Sequence, residues 1–360
     1  GAGTRLDPDQ PERIMRTTLL ATLPALMLIG CEQPSQEDTE PPREQAQTKA
    51  QDAALVEWYQ KRAGEQRQTL EIRARTFREA VSGLLTEPGE ARLDTARDTW
   101  EGLHESFHQA FVPLRITVHH HPRMKKRLKR VNPTPIFPGY IDGLSQWPDS
   151  GIVHDRTVEL SRASLLEQQG ATAEGEASVG FQVVHFLLHG EPEQPRTPEA
   201  FRVLGKVPEH RVVPPEWLPE QRRRDYLRVA SNLLTRDLEN LAGTTTPAPT
   251  ATALLDALRA LVQRLIRLEG LTGSDAVAGE YMAPATRKQA TKVLFATLRG
   301  WLAADTPLMK RLEQGDPGAA GLRKRISAVA GPDDVEALQA LHAELATLSD
   351  QLGPGSSKAP

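Results

Sequence analysis

The segment from Glu176 to His189 is apolar around almost its whole circumference, yet it carries one line of polar side chains. Valine, phenylalanine and leucine fill most of its other positions, and a helix that is apolar on all sides is a buried one. Ser178, Gln182, His185 and His189 follow each other at spacings of four, three and four, which places them on one helix face. Because burial of an unpartnered polar group costs about 1–3 kcal/mol, this line must contact other side chains, water or a ligand.

Two kinds of chemistry fit this polar line. His185 and His189 are four residues apart, a spacing that allows two imidazoles to bind one metal ion. Ligand and metal sites are commonly built between the helices of a bundle. The alternative is a hydrogen-bonded network that fixes the register of the bundle. The residues alone leave both interpretations open.

A second pair of histidines lies at His104 and His108, in the sequence His-Glu-Ser-Phe-His. This matches the His-Glu-x-x-His pattern, in which two histidines bind zinc and the glutamate, here Glu105, activates water. A peptidase also needs a third ligand, for which His154 and Glu176 are weak candidates. Both histidines follow a residue of an apolar stripe, so we expect them to be half exposed at its edge. The motif is predicted to be incidental to peptidase chemistry, while its histidines are candidate metal ligands if this helix packs beside the polar line.

Helices must position these residues, because no segment alternates with period two over a sustained length. Apolar residues at spacings of three and four indicate amphipathic helices. The segments that show this pattern most clearly are 93–111, 217–241, 254–268, 285–304 and 333–352. The sequence therefore predicts an all-α fold built from helical bundles.

Prolines divide the chain into two helical groups. They are frequent between residues 112 and 155, where long helices are not expected, and again between 191 and 219. We place a domain boundary in the second stretch. The prediction is an N-terminal bundle over residues 52–205, a C-terminal bundle over 210–352, and a disordered tail over residues 353–360.

The N-terminal region predicts export and lipidation. Arg16 precedes a short apolar core at residues 19–29, which falls short of the ~20 residues that span a bilayer, so residues 1–30 are predicted to contain a signal peptide. The sequence Leu-Ile-Gly-Cys ending at Cys31 resembles the bacterial lipobox, which implies lipidation of this cysteine. Residues 31–51 are predicted to be a disordered linker. This places the protein in the cell envelope, anchored at the periplasmic face of the outer membrane.

Composition and charge narrow the classes of partner. A chain with 39% hydrophobic and 25% charged residues is a soluble globular protein, and a net charge of −3 argues against a nucleic-acid binder. Cys31 is the single cysteine, so no intrachain disulfide forms. The strongest local charge lies at Arg123–Arg130, where six of eight residues are cationic, after three histidines at 119–121. A solvated loop is the simpler interpretation of this segment, and a contact with anionic headgroups or an acidic protein partner is the alternative.

Residues 180–190, which read Gly-Phe-Gln-Val-Val-His-Phe-Leu-Leu-His-Gly, resemble the signature of the imelysin-like proteins. These are extracytoplasmic proteins, also called insulin-cleaving membrane proteases, that are linked to bacterial iron uptake. Their signature reads Gly-x-His-x-x-Glu and is followed by Phe-Leu-Leu-Trp-Gly. Further similar positions are Trp100 with Phe107, Ile141-Asp142-Gly143, and the helix that runs from Arg223 to Leu238.

The chain departs from this signature at its chemical positions. Gly180 matches the motif glycine, but Gln182 replaces the histidine and His185 replaces the glutamate. The family's second, acidic motif is not evident, and residues 279–282 match only its beginning. An amide with imidazoles suits iron, copper, zinc or haem better than a hard cation.

The resemblance implies an envelope protein that binds a metal ion or a haem-type ligand between helices and serves metal acquisition. Gln182, His185 and His189 would line the site, with His104 and His108 from an adjacent helix. Two alternatives stay open. One is a zinc peptidase that uses the glutamate of the 104–108 motif as its general base. The other is a structural or interaction lipoprotein that has lost its site.

Overall fold

The computed structural model describes residues 43–134, 136–173, 175–202, 213–270, 282–313 and 318–352. The predicted signal peptide, the lipidation site Cys31, most of the predicted linker and the C-terminal tail lie outside these residues. Among the described residues, no helix has the length and apolar character needed to cross a bilayer.

The all-α prediction is confirmed. Thirteen α-helices make up most of the part of the chain that the structure describes. The first seven are α1 (Arg43–Thr86), α2 (Glu90–Gln109), α3 (Phe111–His120), α4 (Lys125–Val131), α5 (Pro138–Ile141), α6 (Arg162–Gln168) and α7 (Phe181–His189). The other six are α8 (Pro219–Gly243), α9 (Ala251–Gly270), α10 (Pro284–Trp301), α11 (Pro307–Glu313), α12 (Gly318–Ala328) and α13 (Val335–Leu352).

Short elements connect these helices. Three 3₁₀ turns cover Pro122–Met124, Pro198–Phe201 and Pro215–Trp217. Directly after α7, the strands β1 (Gly190–Glu191) and β2 (Gln194–Pro195) form a small antiparallel hairpin.

Two hydrophobic cores share the helix α1. Its second half contributes Leu70 and Phe77 to the first core, together with α2 and α4 to α8. Its first half contributes Leu55 and Tyr59 to the second core, together with α3 and α9 to α13. At 1.5 Å per residue, its 44 residues extend about 66 Å, which is long enough to reach both.

The helices are divided between the two cores differently from the division into two bundles that the sequence predicts. The expected boundary at residues 205–210 lies outside the described residues, but α8, which follows it, belongs to the first core. The reason is its apolar stripe, which packs on α1 and α7. Conversely, α3 was expected in the N-terminal bundle because it precedes the predicted boundary, but it packs on α9 in the second core.

Two local expectations also differ from the structure. Residues 43–51 were expected to belong to a disordered linker, but they form the first turns of α1. Alanine, glutamine, glutamate and lysine are common in this stretch and favour helix. The stretch also continues directly into the buried part of α1, so no new helix has to be nucleated. The proline-rich stretch from residue 112 onward contains most of α3, because Pro113 lies in the first turn, where a backbone N–H has no partner within the helix.

The helix α7 is fixed in the first core at its N-terminal end. Gly180, which precedes it, has a φ of +104°, and a Cβ there would collide with the carbonyl oxygens of Arg130 and Val131 and with Pro133. Only glycine fits such a position. The indole N–H of Trp100 donates a hydrogen bond to the carbonyl of Phe181 at 3.2 Å, which ties α2 to the first turn of α7.

A buried carboxylate, Asp142, connects the segment after α5 with the hairpin that follows α7 and with α8. Asp142 is fully buried and accepts hydrogen bonds from Arg223 at 2.6 Å and from Arg196 at 2.7 Å. Burial alone would raise the pKa of Asp142, but hydrogen bonds from His154 and Arg223, with the charges of Arg223 and Arg196, hold it below its ordinary value. The neighbouring Arg222 donates to four backbone carbonyls between residues 152 and 158, which fixes that irregular segment.

We expect Asp142→Asn to destabilise the protein by about 3–5 kcal/mol, because it leaves two guanidinium groups without their buried carboxylate. The measurement is urea unfolding at pH 7. Because the folded pKa lies below the unfolded value of about 4, the stabilisation is present above pH 4 and is lost as the pH falls through the folded pKa. The control is Asp149→Asn, which removes an exposed carboxylate from the same segment. Equal stability of the two variants would contradict this account.

Candidate imidazole site

Four imidazoles from two helices lie in one cluster in the first core. Trp100 of α2 stacks on His104 with ring centroids 4.7 Å apart, and it also contacts His185 of α7 at 4.8 Å. His108 lies 4.3 Å from His104 along α2, and His189 lies 4.0 Å from His185 along α7. The imidazole site is defined here as His104, His108, Gln182, His185 and His189.

Burial of this site is greater than the sequence pattern indicates. His104 and His108 were expected to be half exposed, but only 2% and 1% of their surfaces are accessible. The reason is that α7 and α10 both pack against α2, so the flank of its apolar stripe is covered as well. Gln182 and His185 are buried too, and His189 is partly buried.

Backbone carbonyls fix the tautomers of two histidines. A carbonyl oxygen only accepts hydrogen bonds, so the Nδ1 atoms that contact one must carry a proton. His108 donates from Nδ1 to the carbonyl of His104 at 2.7 Å, and His189 donates from Nδ1 to the carbonyl of His185 at 3.0 Å. In the neutral imidazole, Nε2 then carries the lone pair. The Nε2 atom of His108 is buried and has no hydrogen-bond partner.

The surroundings keep the imidazoles neutral. Burial lowers the pKa of His108 to about 4, against a hydrogen bond to the His104 carbonyl that raises it. Burial also lowers the pKa of His104 well below its ordinary value, assisted by the charges of His108, His185 and Arg264. For His185 the causes are burial and then the charges of His189 and Arg97. Neutral imidazole is the form that binds metal ions.

Three further residues complete the site. The Gln182 amide donates to Oδ1 of Asn132 at 3.3 Å and lies 3.5 Å from Nε2 of His104. Thr286 of α10 lies 3.2 Å from Nε2 of His185. Arg264 of α9 is near enough for its charge to lower the pKa of two of the imidazoles.

The sequence model of the Imelysin family, peptidase M75, matches residues 66–352. The chain belongs to the imelysin family. This confirms the resemblance inferred from residues 180–190. No curated protein sequence is significantly similar to the chain.

The imelysin signature occupies the centre of the site in this chain. Gly180 supplies the close backbone contact before α7, and Gln182 and His185 stand at the two chemical positions. Their neighbours on α2 are the histidines of the 104–108 motif. The polar line of α7 therefore contacts a second polar line on α2, within an apolar core.

The donor set fits some metal ions and not others. Nitrogen and amide donors suit a borderline ion such as zinc, copper or iron(II), while a hard cation requires carboxylate oxygens. Within the described residues, no group of three or more histidine, cysteine, aspartate or glutamate side chains is arranged to hold a metal ion. His185 and His189 are parallel, with 15° between their planes. Because a metal ion lies in the plane of each imidazole that binds it, this pair shares no coordination point in its present orientation. His104 and His108 are inclined at 73° and lack that restriction.

Besides His104 and His108, a zinc peptidase would need a catalytic glutamate and a third ligand. The candidates for these two roles form their contacts outside the imidazole site. Glu105 lies on the partly exposed side of α2, where its carboxylate accepts a hydrogen bond from Gln109 at 3.2 Å. Of the two candidates for a third ligand, His154 contacts Asp142, and Glu176 accepts hydrogen bonds from Thr172. The histidines themselves are covered by other helices.

The basic segment has a structural part and an exposed part. Arg127 and Arg130 form ion pairs with the buried Asp237 of α8, which fixes α4 on the first core. The other four cations of the segment are exposed: Arg123, Lys125, Lys126 and Lys129. Of the preceding histidines, His121 contacts the carbonyl of Thr245 at 2.9 Å.

Sequence reasoning did not find Asn132, Thr286 or Arg264. Each comes from a different segment: Asn132 and Thr286 contact the site across 50 and 101 residues of chain, and Arg264 acts on it through its charge. Asn132 precedes a proline in an irregular stretch, and Arg264 interrupts a leucine-rich helix without any local pattern. Only the tertiary packing places them beside the imidazoles.

We expect His108→Leu to change how stability of the metal-free protein depends on pH. Between pH 4 and 6.5 the unfolded chain binds a proton at His108 that the folded chain does not bind. The free energy of unfolding therefore decreases as the pH falls through this range, by up to about 1.4 kcal/mol per pH unit from this residue. The variant should lack that part of the slope in urea unfolding between pH 4 and 7.

The matched control is His119→Ala, which removes an exposed imidazole. It should keep the parent slope. A His108→Leu slope equal to that of the parent would show that this imidazole is accessible to protons in the folded protein.

Proposed function

We propose that this imelysin-family protein binds a transition-metal ion at the imidazole site. The observation that carries the proposal is the Nε2 atom of His108, a buried lone pair without a partner. Such an atom is costly in a folded core unless something binds it. His104 is its neighbour on the same helix, and Gln182 offers an amide oxygen from α7. These three residues are the proposed ligands.

His185 and His189 have a supporting role in this proposal. Their rings stack parallel to each other, and His185 also contacts Trp100. They hold the indole against His104 and so fix the direction of that imidazole. Residues that orient metal ligands commonly influence affinity strongly.

A single ion fits this site better than a haem-type macrocycle. The imidazoles and Trp100 are packed ring against ring, with centroids 4.0–4.8 Å apart. Such packing accommodates an ion after small rotations of side chains. Iron, copper and zinc are the candidates that the nitrogen donors favour. When bound, the ion would supply Lewis acidity and, for iron or copper, electron transfer.

Binding is favoured over peptidase activity. A zinc peptidase keeps one coordination position open to water and substrate, while His104 and His108 are almost fully buried. The carboxylate of Glu105 forms its hydrogen bond on another side of α2. In this proposal the protein serves metal acquisition by storing or transporting the ion, and not by hydrolysing peptides.

The location of the protein is proposed from its sequence. The lipobox-like Cys31 supports an anchor in the cell envelope, at the periplasmic face of the outer membrane. The exposed cations between Arg123 and Lys129 are proposed to contact anionic headgroups or an acidic protein partner. The membrane and the metal ion are then the partners of the chain.

We expect the untagged soluble domain, purified from metal-replete medium, to contain about one equivalent of iron, copper or zinc. His104→Ala/His108→Ala should lose it, because both proposed nitrogen ligands are removed. His185→Ala/His189→Ala should weaken retention by 10–100-fold, since it removes only residues that orient the site. The measurement is elemental analysis after dialysis, with circular dichroism to verify folding.

Two further variants separate the alternatives. His119→Ala is the control for adventitious binding and should retain the parent's metal. Glu105→Gln should also retain the metal and leave any hydrolysis of peptides unchanged; loss of hydrolysis with metal still bound would establish the peptidase instead. Absence of metal from the parent would refute the proposal and favour a protein whose site has become a core network.

A further inference from the structure

Arg264 is a partly buried cation whose contacts do not satisfy all of its donors. It lies on α9, and its Nη1 donates a hydrogen bond to Oγ1 of Thr134 at 2.8 Å. Its Nη2 atom is buried and has no hydrogen-bond partner. Within the described residues, no acidic side chain forms an ion pair with it. A guanidinium nitrogen that is buried without a partner is unfavourable unless an anion binds to it.

This guanidinium is connected to the imidazole site by a short segment of chain. Thr134, which accepts its hydrogen bond, follows two residues after Asn132, which accepts a hydrogen bond from Gln182. The same segment lies against the start of α7, where Gly180 approaches Pro133 closely. The charge of Arg264 acts on both His104 and His108.

Among the described residues, the charges that act on the imidazoles come from the histidines themselves and from two cations. Arg97 is the second cation beside it, but that guanidinium has partners: it donates to the carbonyls of Leu188 and Arg196 and lies 3.5 Å from Asp94. In the part of the chain that the structure describes, the only hydrogen-bond partner of Arg264 is the hydroxyl of Thr134. Burial lowers the pKa of Arg264, and the charge of Arg267, which has the same sign, lowers it further.

A divalent ion at this site would therefore lie near Arg264, whose positive charge has no counter-ion among the described residues. The proposed ligands His104, His108 and Gln182 are neutral, so the ion and Arg264 together would hold three positive charges in a covered site. Borderline metal ions are normally accompanied by thiolates, carboxylates or a bound anion that reduces the charge. Here no side chain of the site supplies negative charge.

We propose that the ligand brings its own negative charge, as a metal ion bound together with an oxyanion, and that Nη2 of Arg264 binds that oxyanion. This rests on the proposed function and specifies its ligand. The oxyanion is a small inorganic anion or the carboxylate of a chelator, because both offer the oxygen atoms that guanidinium binds well. The unpartnered Nη2 and the unpartnered Nε2 of His108 then belong to one composite site.

The test is calorimetric titration of the metal-free protein with zinc in chloride buffer alone, with bicarbonate, or with citrate, at matched free zinc concentrations. We expect at least a tenfold lower Kd for zinc with one of the two anions. A gain with bicarbonate indicates an inorganic anion, and a gain with citrate alone indicates a carboxylate chelator. Equal Kd values in all three buffers would overturn the inference while leaving the proposed function intact.

Variants at two arginines of α9 test whether the anion dependence of zinc binding arises from Arg264. Arg264→Met should lose the dependence on the anion, and Arg264→Lys, which keeps the charge, should retain part of it. The matched control is Arg267→Met, three residues along the same helix, where the guanidinium donates to the carbonyl of Thr134 from an exposed position. Full anion dependence in Arg264→Met would contradict the inference. Failure of the parent to bind zinc in any buffer would refute the proposed function and this inference together.

Discussion

The burial of α7 on nearly all sides is the constraint on which the rest of the structure depends. Eight of its nine residues are buried, and they include Gln182 and His185. A helix in such a position cannot leave polar side chains without partners. The partners come from α2, where Trp100, His104 and His108 form a matching line. The two lines meet as a continuous cluster of packed rings, which is the candidate site.

This arrangement gives the imelysin signature a different chemistry in this chain. An imidazole at the glutamate position removes the negative charge that the signature would place in the core. Of the neighbouring cations, Arg97 pairs with Asp94, but Arg264 has no acidic partner among the described residues, so its positive charge stays without a counter-ion there. Elsewhere in the same core the cations have carboxylate partners: Asp142 pairs with Arg223 and Arg196, and Asp237 pairs with Arg127 and Arg130. The contrast is the physical basis for assigning an anionic ligand to the site.

The sequence predicts the helices well because each carries its own pattern. The spacing of leucines predicts α9 and α13, and the polar line on an apolar helix predicts that α7 is buried and that its histidines need partners. The pairing of that line with His104 and His108 depends on how α2 and α7 pack, which no local pattern contains. The half-exposed position expected for these histidines was wrong because α7 and α10 cover a flank that a single helical stripe leaves open. Arg264 was missed for the same reason, since its significance arises only from contacts across 130 residues of chain.

The most direct measurement of the central claim is anomalous diffraction at the zinc absorption edge from crystals of the zinc-loaded protein. The account predicts one strong peak between α2 and α7, about 2.1 Å from Nε2 of His108. Electron density for an oxyanion should lie between that peak and Arg264. A peak confined to His119–His121, or an unoccupied Nε2 of His108 in a zinc-loaded crystal, would contradict the account and leave the stacked imidazoles as a structural core.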